Sequence, residues 1–152
     1  MDELQKLQEL ARKAFATTYG FMLMSQNYHW NVIDPNFLQY HELFGRVYKE
    51  VNPHIDIFAE QLRGLQTYAP ATFGEICEVS SVVEEWGGAD LSPDDMIQNL
   101  YLANGSVTTD LVAAYTVADK IKEYGMTSYL SERMDQQRKH GWMLYASSLR
   151  VL

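Results

Sequence analysis

Four long runs of apolar and small residues recur along the chain at alternating spacings of three and four, the period of a helix buried along one side. In the first run, Leu7, Leu10, Ala14, Thr17, Phe21, Met24 and Tyr28 share one side of a helix predicted from about Asp2 to Trp30. Asp34-Pro35-Asn36 then interrupts the pattern, with Asp34 suited to cap the next helix and Pro35 to open its first turn. The second stripe runs Phe37, Tyr40, Phe44, Val47, Val51, Ile55, Phe58, Leu62 and Leu65. Pro53 lies inside it, which predicts a kink or one missing backbone bond rather than two helices.

The stretch from Gly64 to Leu91 is too long for a simple hairpin link, and within it Glu75 to Trp86 reads as a short helix. Ser92-Pro93-Asp94-Asp95 supplies a cap, a first-turn proline and first-turn acids. The helix it opens carries Ile97, Leu100, Asn104, Val107, Leu111, Ala114, Ala118 and Ile121 on one side, with Gly125 as the expected stop. Thr127 is the expected cap of a last helix reaching about Leu149, with Leu130, Met134, Gly141, Leu144 and Tyr145 on its apolar side. Short links thus join helices one to two and three to four, and a long crossover joins two to three. This is the ferritin-like form of the all-α four-helix bundle, with a short extra helix in the crossover.

The 152 residues suit a single domain spanning 1–152, long enough to bury a core. No apolar run approaches the roughly 20 residues that span a bilayer, and Met1-Asp2-Glu3 lacks the basic and apolar regions of a secretory leader. A cytoplasmic protein with no membrane partner is expected. The single cysteine, Cys77, rules out an internal disulfide and is expected to be a small buried hydrophobe. A net charge of −8 argues against a surface built to neutralise phosphate. No Lys or Arg occurs between Gly64 and Asp119, whereas Glu75, Glu78, Glu84, Glu85, Asp90, Asp94, Asp95, Asp110 and Asp119 all fall there. Such a field attracts cations and repels nucleic acid, although a solvated acidic face kept for solubility gives the same pattern.

The histidines are His29, His41, His54 and His140, and none has an acid three residues before it. The in-bundle di-iron centre, built on Glu-x-x-His pairs, is therefore not expected. A different arrangement survives. His29 ends the first helix and His41 begins the second, so the short link brings them close. Asp56 and Glu60 sit four apart on one face of the second helix, where they can pinch a cation. His41 and Asp56 are 15 residues apart, about 22 Å of helix, too far for one metal within one subunit. If these groups share a site, a second copy must lay its helix two antiparallel to the first, a two-fold contact with two equivalent sites. Imidazole and carboxylate ligands suit iron, zinc or manganese. Taken singly, each residue has a plainer role: a histidine at a helix end serves as a cap or interface hydrogen bond, and an Asp-x-x-x-Glu pair as a solvated face.

Tyr28-His29-Trp30-Asn31-Val32, Asn36-Phe37, Tyr40-His41-Glu42-Leu43-Phe44 and Asp56-Ile57-Phe58-Ala59-Glu60-Gln61-Leu62 together resemble the signature of the Dps mini-ferritin family. Lys139-His140-Gly141-Trp142-Met143-Leu144 is similar to the tryptophan-containing segment of that family's last helix. The resemblance implies a hollow dodecamer, a homo-oligomer that oxidises Fe(II) with hydrogen peroxide, or less readily oxygen, and stores Fe(III) inside. It implies iron ligands His29 and His41 from one subunit and Asp56 and Glu60 from its neighbour, the same residues carrying the ferroxidase catalysis. Zinc is a possible substitute for iron.

Two departures from the family pattern stand out. Where the family carries an acidic ligand four residues after its second histidine, this chain has Gly45, a change that weakens the second iron site and leaves room for water. An assembled cage with reduced or absent ferroxidase activity is the alternative this raises. Met126 follows Gly125 where relatives place an acid of the iron pore, so no pore residues are assigned. A DNA-associated protective protein is the further alternative, and relatives that coat DNA use flexible Lys-rich tails. Here Lys6, Arg12 and Lys13 lie inside the predicted helix and the chain closes on Ser148-Leu149-Arg150-Val151-Leu152, which argues against direct DNA condensation. Trp30 and His54 lie near the proposed ligands and His140 reads as structural.

Overall fold

The computed structural model describes residues 1–82 and 91–148. Its helices are α1 (Glu3–Asn31), α2 (Phe37–Gly64), α3 (Phe73–Val79), α4 (Pro93–Lys120) and α5 (Tyr124–Ala146). No strand occurs among the described residues. Each long helix exceeds twenty residues, and short links pair α1 with α2 and α4 with α5, as the apolar periodicity predicts. The crossover carries α3 against α1. This is the all-α ferritin-like bundle. No helix among the described residues is long and apolar enough to cross a membrane.

Local chemistry starts the helices where the sequence places polar caps. Asp2 accepts from the Gln5 N–H at 2.7 Å while the Gln5 side chain accepts from the Asp2 N–H, a reciprocal box that satisfies donors with no helical partner. Ser92 and Asp95 form the same box at α4. At α2 the expectation shifts by two residues. Asp34 accepts from the Asn36 N–H at 2.8 Å, so it caps the turn, and Pro35 stays outside the helix that Phe37 begins. Pro53 is held inside one continuous α2, where it has no N–H to give the carbonyl of Lys49.

The helix ends differ more from expectation. Both α2 and α4 close with a residue in left-handed conformation, Gln66 (φ 61°) and Lys122 (φ 61°). Thr67 N–H reaches back to the Leu62 carbonyl at 3.2 Å and Glu123 N–H to that of Ala118 at 2.9 Å, the bonds that complete a Schellman turn. Gly125 is therefore not the stop of α4; it sits in the first turn of α5, which begins at Tyr124, ahead of the expected Thr127 cap. The short helix ends at Val79 rather than continuing toward Trp86, and residues 83–86 lie outside the described residues, as do Leu149 and the chain's last residues.

The core is built from the predicted stripes of α1, α2 and α4: Leu7, Ala14, Phe21, Met24 and Tyr28; Phe44, Val47, Val51, Phe58 and Leu62; Ile97, Leu100, Val107, Leu111 and Ala114. The inward face of α5 is different. Tyr145 is exposed, and Arg133, Gln137 and His140 are buried in its place beside Leu130 and Leu144. Leu130 and Leu144 are buried as the stripe predicts and Met134 packs against the core, but a guanidinium and an imidazole do not register as apolar, so periodicity alone does not reveal their inward place. Arg133 is tolerated there because Glu50 of α2 takes two bonds from it, at 2.7 and 2.9 Å. His140 adds a third contact to the same carboxylate at 2.7 Å. Cys77 also departs from expectation: it lies on the outer side of α3 and is exposed.

Candidate metal centre

The link 32–36 folds the first turns of α2 back on the last turn of α1, and this sets two imidazoles face to face. The rings of His29 and His41 stack with centroids 3.8 Å apart and planes 13° apart. Nδ1 of His29 lies 2.6 Å from the backbone oxygen of His41, and Nδ1 of His41 lies 2.6 Å from the backbone oxygen of His29. A carbonyl only accepts, so each Nδ1 carries a proton, and the tautomer this selects is the one that presents Nε2 to a metal. The His29 carbonyl belongs to the last turn of α1, where no helical N–H reaches it, so the contact also satisfies a helix end. Orienting bonds of this kind fix tautomer and ring direction in metal-binding histidines.

Aromatic neighbours extend the stack. Phe37 lies 4.9 Å from His41 on one side and Tyr48 lies 5.2 Å from His29 on the other. Phe37, His41, Gly45 and Tyr48 recur at helical spacing on α2, so one edge of that helix forms the bed on which His29 rests. In the sequence, Phe37 figures only in the apolar stripe and the family signature and Tyr48 has no part, because an aromatic residue on a helix is ordinarily core. Gly45 is buried, and a Cβ built on it would stand 2.8 Å from both Cε1 and Nδ1 of His29. The space beside Gly45 is thus filled by the His29 ring and is not open to a water ligand.

Asp56 and Glu60 are exposed on the same helix, and neither has a hydrogen bond or ion pair among the described residues. Because α2 is continuous from Phe37 to Gly64, about 22 Å separates Asp56 from His41 and about 28 Å separates Glu60 from it. The structure therefore brings the two histidines together and leaves both acids at the far end. Among the described residues no three of His, Cys, Asp and Glu converge to hold a metal within one chain. The surface around the histidine end is apolar: Trp30 is 61 % exposed, Ile33 84 % and Leu38 77 %.

His54 and His140 belong to a second cluster, around Glu50. Burial raises the Glu50 carboxyl, but hydrogen bonds from His140 and Arg133 and the charge of Arg133 outweigh it and hold the group at about 2. His54 approaches Glu50 at 3.4 Å, yet burial and the Arg133 charge push its pKa down, so this contact is to a neutral imidazole at neutral pH. Tyr129 donates to the His54 carbonyl at 3.2 Å, and burial raises its phenol well above the ordinary range. Arg133 and both imidazoles thus meet the one Glu50 carboxylate, and the cluster joins α2 to α5.

Residues 4–148 match the ferritin-like domain family. A DNA protection during starvation protein of Brevibacillus brevis is 32 % identical over 120 residues, which cover 79 % of this chain and 79 % of that one. General stress protein 20U of Bacillus subtilis (strain 168) is 29 % identical over 142 residues, 93 % of this chain and 97 % of the relative. The crystal structure of a Dps protein from Bacillus brevis superposes with a TM-score of 0.87 at 29 % identity, covering 96 % of this chain and 98 % of that chain. A Dps protein from Vibrio cholerae O1, described as one of the ferritin-like diiron-carboxylate proteins, has the same fold, with a TM-score of 0.88 at 22 % identity over 95 % of this chain and 89 % of that chain. Fold and sequence together define a ferritin-like protein. Within that class the chain belongs to the Dps mini-ferritins, an iron-storage family.

Proposed function

We propose that this protein is a ferroxidase subunit of a dodecameric cage, with Fe(II) as substrate at a site that two copies complete across a two-fold axis. One observation carries the reading. His29 and His41 are locked as a pair through their Nδ1 atoms, while Asp56 and Glu60 stand unpaired about 22 and about 28 Å from His41 along the same helix. An antiparallel second copy of α2 brings the acids of one chain to the histidines of the other, and the exposed Trp30, Ile33 and Leu38 offer apolar surface for that contact.

The donor set fits the substrate. Neutral imidazoles and carboxylates both bind iron, and zinc competes for the same ligands. The backbone carbonyls of His29 and His41 keep the rings from turning as the cation arrives. The negative charge of Asp56 and Glu60 favours Fe(III) over Fe(II) and so lowers the potential. Two Fe(II) each lose one electron, and hydrogen peroxide with two protons takes both and leaves two waters. Oxygen is the slower alternative oxidant, and Fe(III) is then stored in the cavity.

The test is an anaerobic ferrous titration followed by peroxide, read as the ultraviolet absorbance of ferric iron. Oxidation well above the rate of free iron supports the enzyme. A rate equal to that of free iron would sink it and leave the second reading, a cage that assembles without efficient oxidation. That second reading is favoured by Gly45, which puts no carboxylate on the histidine side.

A further inference from the structure

Gly45 has an effect that loss of a ligand does not describe. A Cβ at this position would lie 2.8 Å from Nδ1 of His29, the atom whose proton is held by the His41 carbonyl. It would lie equally close to Cε1, so the ring cannot escape by a small tilt. Contacts under about 3 Å between carbon and ring atoms fall inside van der Waals separation. No side chain, and so no carboxylate, stands at position 45 while His29 rests where it does.

We propose that Gly45 is a positioning residue: its bare backbone seats the His29 ring against His41, and the half-site is thereby a pair of imidazoles alone, with no carboxylate beside them. The consequence is one of cation selection. A half-site of two neutral nitrogen donors favours borderline divalent cations such as zinc, cobalt(II) and Fe(II) over manganese(II), which prefers oxygen. It also holds a single cation on the histidine side, since the donor that would bind a second is absent. The identity of the physiological cation rests on the proposed ferroxidase reading; the role of Gly45 does not.

The experiment separates the two. In the metal-free protein, long-range 1H–15N correlation spectra report the tautomer of each histidine. Both His29 and His41 are expected with the proton on Nδ1, and Gly45→Ala should release His29 into a mixture of tautomers. Anaerobic titration with zinc or cobalt(II) should show a single ion per histidine pair, bound at least about tenfold more weakly by Gly45→Ala, the loss typical when an orienting contact of a metal ligand is removed. Manganese(II) should compete poorly with zinc for the wild-type protein.

A stability cycle tests the contact even if the single variant assembles badly. Gly45→Ala should lower the melting temperature in the wild-type background. In the His29→Ala background it should raise it, because alanine is the better helix former once the ring is gone. Three outcomes would overturn the proposal: an unchanged His29 spectrum in Gly45→Ala, additivity in the cycle, or a Gly45→Asp variant that gains affinity and a second ion while His29 keeps its tautomer. If the spectra and cycle hold but peroxide oxidises no iron, the ferroxidase reading falls and the assignment of Gly45 stands.

Discussion

Arg133 of α5 is 2 % exposed and its guanidinium meets both oxygens of Glu50 on α2, at 2.7 and 2.9 Å. A planar fork matched to a carboxylate is the geometry in which a buried ion pair holds two helices in register. Removing one partner leaves the other charge buried and alone. Glu50→Gln should therefore lower unfolding free energy by about 3 kcal/mol. Chemical denaturation at fixed protein concentration measures it, and a loss below a few tenths would show that water satisfies Arg133 instead.

The same carboxylate predicts an acid limit. Glu50 is held at about 2 in the folded chain against an ordinary 4.5, so between those values the unfolded chain binds the extra proton. Its contribution is complete above about 4.5 and fades as pH falls toward 2. His54, pushed below its ordinary 6.5, acts with the same sign at milder acidity, since the unfolded chain protonates it first. Stability measured from pH 7 down to pH 2 should fall in two stages. Glu50→Gln should flatten the lower one, and an unchanged slope would contradict the assignment.

Gln66 and Lys122 hold left-handed backbone at the ends of α2 and α4. For a residue with a side chain that conformation costs on the order of 1 kcal/mol, and glycine relieves it. Gln66→Gly and Lys122→Gly should each raise the denaturation midpoint by an amount near that figure. Neither change touches the histidines, so metal binding should be unaltered.

The proposed sharing of a metal site across subunits has a direct genetic test. His29→Ala/His41→Ala and Asp56→Ala/Glu60→Ala should each abolish peroxide-driven iron oxidation. Co-assembled from both, a two-fold contact regains one site with intact histidines from one chain and intact acids from the other. Recovered activity in the mixed particle is expected. If the mixture stays as inactive as its parents, the ligands do not come from neighbouring chains.

Several relatives carry DNA in their names, and one is described as a nutrient stress-induced DNA-binding protein. With a net charge of −8 and no Lys or Arg between Gly64 and Asp119, this chain should give no shift of duplex DNA in low-salt gels. A shift that fades with added salt would reverse that expectation.

Read alone, the chain determined its helices and their order. Apolar spacing, polar caps and the lengths of the links are local properties, and they placed α1, α2 and α4 with their buried faces. They also placed His29 and His41 across a short link, and set Asp56 and Glu60 too far away to join them on one helix. What the chain could not reveal depends on through-space contacts. Arg133 and His140 face inward because Glu50 arrives from another helix to pair with them, and no periodicity of α5 records that partner. Gln66 and Lys122 took the left-handed turns in place of nearby glycines because the Schellman bonds fall at those positions. Gly45 read as a missing ligand, and only the packed structure made it the seat of a histidine. A glycine in a sequence says that something is absent; which atoms fill the space is decided when α1 folds back on α2.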